Sequence, residues 1–182
     1  MKKNPYKILS SKVVYKNPWI EVREDEVIRP DGKKGIFGTV DIGEGVTILA
    51  VNKNKEVYLI KEFYYALGEY GIQTPSGGIE KDETPLQAAK KELLEEAGVV
   101  AKKWIPLGFI NALTATVKSP QHLFLALDLE MQAQKEKEIE VIKTTLEKAY
   151  KMVIDGEITY APSCVTILKA RDYLNKHSQI TQ

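Results

Sequence analysis

Hydrophobic residues in the first part of the chain alternate with polar ones or occur in short pairs, which is the pattern of β-strands. Apolar positions of this kind occur through residues 8–28 and again through residues 36–40. Arg29–Gly32 separates the two stretches, with a proline that fixes φ and a glycine that accepts positive φ. The pattern predicts about three short strands that form an antiparallel N-terminal piece.

Continuous apolar runs then predict the central sheet. Residues 45–51 and 57–60 are two such runs, and the polar turn Asn52–Lys55 joins them, as in a hairpin of buried strands. Residues 104–109 and 123–129 are predicted as two further strands of the same sheet.

The helix predicted after Thr84 has signals at both ends. Thr84 is an N-cap, Pro85 suits the first helical position, and Gln87 completes a capping box. Gly98 follows the last periodic residue and can adopt the left-handed conformation that ends a helix. The predicted buried stripe consists of Leu86, Ala89, Leu93 and Ala97.

Two helices are predicted near the C-terminus. Thr144 and Glu147 have the spacing of a capping box, and Asp155-Gly156 ends the helix that they begin. A last helix is predicted from about 163 to 175. The residues expected to face inward from the first of the two are Leu146, Ala149, Val153 and Ile154. Strands combined with three helices indicate an α/β protein.

Composition is that of an ordinary globular domain. The 182 residues are 43% hydrophobic and 28% charged, and 26 basic against 25 acidic side chains give a net charge of +1. No general attraction to nucleic acid or membrane follows, so we expect neither as a partner. No apolar run has the length of a membrane span or a signal peptide, so we expect a cytoplasmic protein. Cys164, the single cysteine, lies among apolar residues and is expected to be buried and inert.

Three glutamates project from one flank of the predicted helix. Glu92 and Glu96 are four residues apart, and Glu95 is three beyond Glu92. Like charges at this spacing repel, so a hard divalent cation such as Mg²⁺ is expected among them, bound through oxygen ligands. The alternative is a solvated acidic face, although that would not explain the two glycines, Gly77 and Gly78, before the helix.

Residues 77–99 resemble the Nudix box, Gly-x5-Glu-x7-Arg-Glu-U-x-Glu-Glu-x-Gly-U with U aliphatic, at every defined position but one. Lys91 stands where the family has arginine. It keeps the charge but loses the planar fork that binds a carboxylate at two points. The resemblance implies a mixed β-sheet in an α/β/α sandwich, preceded here by the N-terminal antiparallel β extension.

The resemblance also implies roles for the box residues. The metal ligands would be Glu92, Glu95, Glu96 and the backbone carbonyl of Ser76, and Lys91 would hold the carboxylates in place. The cofactor would be Mg²⁺, with Mn²⁺ as a substitute.

A general base is implied in the acidic loop that spans residues 130–140. The nucleotide-sugar hydrolases that the chain resembles use a glutamate of such a loop, which here points to Glu136 or Glu138, and the sequence does not choose between them. The alternative for any charge run is a solvated loop without a catalytic role.

Residues outside the box bear on the substrate. Tyr64 replaces an arginine that meets the substrate phosphates in similar hydrolases. Either that charge comes from Lys61 or the metal, or the chain prefers a different substrate. Gly77 permits close approach of a ligand to the backbone. Trp19 is either a packing residue or a surface on which a base stacks. The loop 111–121 lacks the Pro-Gly-Glu pattern common in ADP-ribose hydrolases.

The implied activity is Mg²⁺-dependent hydrolysis of the pyrophosphate bond of a nucleoside diphosphate sugar of the ADP-ribose or GDP-mannose type. Alternatives are a nucleoside triphosphate or dinucleoside polyphosphate pyrophosphohydrolase, or a nucleotide sensor without catalysis. In the implied organisation, residues 1–43 form an extension used for dimerisation and residues 44–182 the Nudix hydrolase domain, in a homodimer.

Overall fold

The computed structural model describes residues 4–133, 136 and 138–178, and the chain forms two compact units. The first unit comprises the chain up to Gly43 together with Asn111–Pro120, and the second comprises Glu44–Ile110 and the chain from Gln121 onward. The strands are β1 Lys7–Lys16, β2 Glu21–Ile28, β3 Lys34–Asp41, β4 Gly45–Val51, β5 Glu56–Tyr64, β6 Glu69–Gln73, β7 Ser76–Gly78, β8 Val99–Asn111, β9 Val117–Lys118, β10 Pro120–Met131 and β11 Glu140–Thr145. The helices are α1 Pro85–Ala97, α2 Leu146–Ile154 and α3 Ala161–Ser178.

The first unit is a four-stranded sheet in the order β1-β2-β3-β9. Strands β1, β2 and β3 pair antiparallel, as the alternation predicted. Strand β9 pairs parallel to β3 and was not predicted, because it has only two residues. Every residue of β1 is exposed, so this strand contributes no buried side chain to a hydrophobic core.

The second unit contains a mixed sheet in the order β11-β5-β4-β10-β8, with β6 paired to β5 and β7 paired to β4. Strand β4 is antiparallel to β5, which confirms the predicted hairpin, and parallel to β10. All seven residues of β4 are buried, because it lies between neighbours and is covered on both faces.

Helices cover the two faces of that sheet. Helix α1 packs through Ala89 and Leu93 onto one side of β4, in a cluster with Ile48. Helices α2 and α3 pack on the other side, where Ala149 and Ile167 join Leu49. Successive β4 residues therefore enter different hydrophobic clusters, as the two-residue period of a strand requires. The predicted α/β class and sandwich of layers are confirmed.

Several local predictions were wrong. The N-cap of α2 is Thr145 and not Thr144, because β11 continues as far as Thr145 and the helix begins only at Leu146; the Thr145 hydroxyl accepts from Lys148 N. Ile154 is 61% exposed, and Met152 is buried in its place. On α1, Leu86 is 37% exposed, since it lies in the first turn, beyond the packed stripe. The predicted charged loop 130–140 is shorter at both ends, because β10 extends to Met131 and β11 begins at Glu140. Lys135 and Lys137 lie outside the described residues.

In the part of the chain that the structure describes, no helix combines the length and apolar character required to cross a membrane. Cys164 is half-buried, and its Sγ donates to the Ile158 carbonyl at 3.2 Å. Burial raises the pKa of this thiol, which keeps it in the unreactive protonated form.

Candidate active site

Helix α1 is fixed at both ends by the predicted caps. Thr84 N donates to Gln87 Oε1 at 2.9 Å, and Gln87 N donates to Thr84 Oγ1 at 3.3 Å. Gly98 has φ 63°, and its N–H donates to the Leu93 and Leu94 carbonyls. Because both ends are defined, the carboxylates along the helix have defined positions.

Two of those carboxylates turn inward. Glu96 is only 5% exposed, and its Oε2 accepts from Ser76 N at 2.8 Å. Burial raises the pKa of Glu96 to about 9. The Ser76 hydrogen bond lowers this pKa, and the negative charges of Glu92, Glu62 and Glu136 raise it further. Burial likewise raises the pKa of Glu92 to about 7; Lys91 opposes this increase and Glu95 adds to it. Glu96 thus lies on the buried side of α1, whereas the spacing alone had placed it on a flank of the helix, away from the buried stripe.

Gly77 makes room for one of these carboxylates. A Cβ at this position would lie 2.3 Å from Cδ of Glu92, so the Glu92 carboxylate would have to move away. The neighbouring Gly78 has open space at the same position. The first glycine of the turn is therefore required for the close approach of Glu92 to the backbone of β7.

Lys91 holds three acidic side chains together. Its Nζ lies 2.8 Å from Glu80 Oε1 and 3.6 Å from both Glu83 Oε2 and Glu92 Oε1. The hydrogen bond to Glu80 and the surrounding carboxylates raise the pKa of Lys91 against the effect of burial, so it remains a cation. The single positive charge of Lys91 thus neutralises part of the negative charge of these three carboxylates.

Glu136 lies at the same cluster. Its backbone N donates to the Glu95 carbonyl at 3.0 Å, and its charge helps to raise the pKa values of Glu62, Glu92 and Glu96. The side chains of Glu136 and of Glu138, the other candidate base, are both exposed.

The predicted substrate contacts are distributed over the molecule. The Tyr64 hydroxyl donates to Gln73 Oε1 at 3.0 Å, and burial raises its pKa to about 12. Lys61 Nζ lies 3.8 Å from Glu140 Oε2 and 5.8 Å from the centre of the Tyr70 ring. Trp19 belongs to the first unit and is 78% exposed. The roles of Tyr64, Lys61 and Trp19 toward substrate stay predictions.

Three polar residues beside the carboxylates were missed from the sequence. Gln73 Nε2 donates to Glu62 Oε1 and to Ser76 Oγ, and Tyr160 lies close enough to Glu62 and Glu96 for their charges to raise its pKa further, after burial. A period of two along β5 places Glu62 on the same face as Tyr64 and was the available signal. Neither Gln73 nor Tyr160 has a distinguishing sequence context.

The oxygen atoms of this cluster are suitable ligands for a hard cation. Glu92 and Glu96 offer carboxylate oxygens, and the missing Cβ of Gly77 opens the space in which Glu92 lies. Oxygen ligands and crowded negative charge are what Mg²⁺ and Mn²⁺ require. Within residues 4–133, 136 and 138–178, no three Asp, Glu, His or Cys side chains already converge as a metal cluster. The Glu96 oxygen is instead engaged by Ser76 N.

Known proteins resemble this chain over nearly all of its length. Residues 6–40 match the nucleoside diphosphate sugar hydrolase N-terminal domain, and residues 41–160 match the NUDIX domain. The ADP-ribose pyrophosphatase of Bacillus subtilis (strain 168) is 29% identical over 178 residues, covering 92% of this chain and 93% of that protein. The ADP-ribose pyrophosphatase of Mycobacterium tuberculosis (strain ATCC 25618 / H37Rv) is 22% identical, covering 92% and 84%.

A solved structure described as an ADP compounds hydrolase has the same fold. It superposes with a TM-score of 0.85 at 18% identity, covering 97% of this chain and 98% of that one. The NUDIX match covers well over half of the residues and includes the carboxylate helix and its glycine turn. The chain therefore belongs to the Nudix hydrolase family, in its nucleoside diphosphate sugar hydrolase branch, and is an enzyme of the pyrophosphatase type.

Proposed function

We propose that the protein hydrolyses the pyrophosphate bond of nucleoside diphosphate sugars in the presence of Mg²⁺, releasing a nucleoside monophosphate and a sugar phosphate. The observation that carries the proposal is the pair of inward carboxylates, Glu92 and Glu96, held against the Ser76-Gly77 turn. The names of the Bacillus and Mycobacterium relatives favour ADP-ribose as substrate, and GDP-mannose is a second nucleotide sugar to compare with it.

The residues that would hold Mg²⁺, or Mn²⁺ in its place, are Glu92, Glu95, Glu96 and the Ser76 carbonyl. When bound, the metal supplies positive charge to the phosphoryl oxygens and lowers the pKa of the attacking water. The chain itself keeps these oxygens in position through the two helix caps, the Ser76 hydrogen bond and the Lys91 ion pairs.

Glu136 is the proposed general base. Its backbone is bonded to the Glu95 carbonyl, and its charge reaches Glu92 and Glu96, whereas Glu138 has no such link to the cluster among the described residues. A carboxylate there can accept the proton of a water that attacks phosphorus, a contribution of about 10²–10⁴-fold.

The first unit is proposed to form a homodimer. Its sheet exposes large apolar side chains, including Ile8 at 54%, Val13 at 50% and Ile36 at 68%. Exposed large apolar side chains concentrated on one sheet favour an interaction surface there. Trp19 is the proposed aromatic residue that stacks on a substrate base in the partner's site.

The experiment is an incubation of purified protein with ADP-ribose, GDP-mannose and ATP, with Mg²⁺, Mn²⁺ or a chelator, followed by chromatography of the products. We expect metal-dependent release of nucleoside monophosphate from the nucleotide sugars. Cleavage of ATP alone would reassign the substrate class. Binding of ADP-ribose without any product would indicate a sensor and refute the proposal.

A further inference from the structure

Two residues, Thr74 and Pro75, link β6 to β7 and lead directly into the turn that holds Glu96. Strand β6 ends at Gln73 and β7 begins at Ser76, so neither residue of this link belongs to a strand. Thr74 is fully buried, and a buried backbone group outside the sheet needs a partner from elsewhere in the fold. The contacts of the link therefore decide how the turn is held against the carboxylate helix.

Helix α3 supplies the partner for Thr74, 89 residues away in sequence. The Thr74 N–H donates to Ser163 Oγ at 3.0 Å, and the hydroxyls of the two residues are hydrogen-bonded at 3.0 Å. Ser163 is also fully buried, in the first turn of α3, so water does not compete for these bonds. Among the described residues, Ser163 Oγ is the acceptor that the structure gives to this N–H. A serine hydroxyl has the capacity for both bonds, since it offers one donor and two acceptor lone pairs.

Two further hydrogen bonds hold the same short segment from other directions. The Pro75 carbonyl accepts from Ile48 N, on the central strand β4, at 2.9 Å. The Ser76 N–H donates to Glu96 Oε2, on α1, at 2.8 Å. Three consecutive residues are thus bonded to three different elements, α3, β4 and α1. Because α1 and α3 cover opposite faces of the sheet, this segment connects the two helix layers.

Pro75 makes the segment stiff between its two outer hydrogen bonds. The proline ring fixes φ near about −65°, and proline has no N–H of its own to hold the chain elsewhere. A displacement of the Thr74 peptide is therefore passed on to Ser76, because one of the rotations that could absorb it is fixed. At Ser76 such a displacement moves both the N–H that binds Glu96 and the carbonyl proposed as a metal ligand.

We propose that Ser163 is a positioning residue for the metal-binding turn, because it sets the position of Ser76 relative to Glu96 through Thr74 and Pro75. Without the Ser163 hydroxyl, the buried Thr74 N–H would lose its acceptor, and the turn would move to recover one. The inference rests on the proposed function and deepens it, since it adds a residue of α3 to the parts of the chain that shape the site. A group that orients a metal ligand typically contributes about 10–100-fold to metal affinity or activity.

Thr166 offers a matched control one turn further along the same helix. It too is fully buried, and its hydroxyl donates to the Pro162 carbonyl at 2.7 Å, within α3. Removing this hydroxyl deletes a buried hydrogen bond but leaves the bond from α3 to Thr74 intact. A role in stability alone would therefore affect the Ser163 and Thr166 variants alike.

The test compares the wild type with Ser163→Ala, Ser163→Thr and Thr166→Val. Calorimetric titration of the nucleotide-free protein with Mn²⁺ measures metal affinity without turnover, and hydrolysis of ADP-ribose at saturating Mn²⁺ measures kcat and KM. We expect Ser163→Ala to raise the Mn²⁺ dissociation constant about tenfold and to lower kcat about tenfold, with KM changed less than about threefold. Ser163→Thr keeps the hydroxyl and should stay within about threefold of the wild type in both the dissociation constant and kcat.

Thr166→Val should match the wild type in Mn²⁺ affinity and kcat. Both Ser163→Ala and Thr166→Val should lower the melting temperature by about 2–4 °C, because each removes a buried hydrogen bond. Amide hydrogen exchange in the metal-free protein gives a third readout, which needs neither metal nor substrate. Ser163→Ala should speed the exchange of the Thr74 and Ser76 amides at least about tenfold, and Thr166→Val should leave it unchanged.

Failure of this inference and failure of the proposed function give different results. If the wild type binds no Mn²⁺ and cleaves no nucleotide sugar, the proposed function is overturned, and the role of Ser163 toward the metal is overturned with it. If the wild type binds Mn²⁺ and cleaves ADP-ribose while Ser163→Ala equals Thr166→Val in Mn²⁺ affinity and kcat, the positioning role is refuted and the function stands. Should Ser163→Ala not fold, Ser163→Cys decides by the same measurements, because its thiol has a similar size and is a weaker acceptor.

Discussion

The two units of the chain depart from ordinary burial in opposite directions. In the first unit, large apolar side chains are exposed, with Trp19 at 78% and Ile36 at 68%. In the second, the carboxyl side chain of Glu96 is 5% exposed. Single exposed apolar residues are common, but many on one sheet favour a binding partner. A buried acid, in turn, requires a compensating positive charge or a proton.

This difference favours the two proposals made above, a protein partner that covers the first unit and a cation that binds in the second. Among the described residues of the first unit, Val27 is the one buried hydrophobic side chain, at 3% exposure. A sheet with so little core gains stability when another surface covers it. The second unit already has two hydrophobic layers and can bear the cost of burying Glu96.

The largest effect is expected from Glu96→Gln. We expect kcat for the nucleotide sugar to fall at least about 10³-fold, since a charged ligand near the reacting phosphate is lost. The melting temperature should not fall, because glutamine can still accept from Ser76 N and carries no buried charge. Turnover and circular dichroism melts measure the two quantities.

The matched control is Glu157→Gln, which removes a carboxylate at an exposed position after α2. It should keep wild-type turnover. Activity of the Glu96 variant within about tenfold of the wild type would contradict the assignment of the carboxylate cluster as the site.

The next effect tests the other half of the comparison. Ile36→Asp places a charge in the exposed apolar sheet, and we expect the dissociation constant of the dimer to rise about 100-fold or more. Ile154→Asp is the control, because Ile154 is 61% exposed but belongs to α2 in the second unit. Light scattering after size exclusion measures both. Dissociation by the control, or a dimer that survives the first change, would contradict the interface.

The second unit also shows which features the sequence could specify. Helix α1 was predicted because its caps, glycine stop and carboxylate spacing are local and act within one turn. The β4–β5 hairpin was predicted because both strands are apolar and joined by a polar turn. Signals of this kind depend on neighbouring residues alone, which is why the Nudix box could be placed before the fold was known.

Long-range contacts could not be predicted in the same way. Gln73 joins Tyr64, Glu62 and Ser76 only because β6 pairs with β5 and returns to the box, and no local pattern encodes that pairing. Tyr160 reaches the site from the other end of the chain. The N-cap of α2 moved from Thr144 to Thr145 because β11 pairs with β5 as far as Thr145 and fixes where the helix begins.

A smaller effect is expected from Lys91→Ala. Lys91 neutralises Glu80, Glu83 and Glu92 at 2.8 to 3.6 Å, so its loss should let the carboxylates separate and lower kcat/KM about tenfold. Lys91→Arg should retain activity, because arginine keeps the charge and adds a planar fork. The exposed neighbour provides a control, Lys90→Ala, which should not change kinetics. Equal losses in the Lys90 and Lys91 variants would refute the specific role.

The smallest effect is a pH dependence of stability in the metal-free protein. Burial raises the pKa of Glu92 to about 7 and that of Glu96 to about 9, both above 4.5. Between pH 4.5 and these raised pKa values, the folded state binds more protons than the unfolded state. The contribution of the two protonated acids to stability is therefore present at low pH and is lost as pH rises through 7 and 9. With a chelator present, the wild-type melting temperature should fall from pH 5 to pH 9 by at least about 2–4 °C.

The double change Glu92→Gln and Glu96→Gln should flatten that fall, since glutamine does not titrate in this range. Added Mg²⁺ should raise the wild-type melting temperature most at pH 9, because a cation binds the deprotonated carboxylates and stabilises the folded state by mass action. The same slope in wild type and double variant would place the pH dependence elsewhere. That result would mean that the buried Glu92 and Glu96 do not cause the pH dependence, and their burial would then give no reason to expect a bound cation.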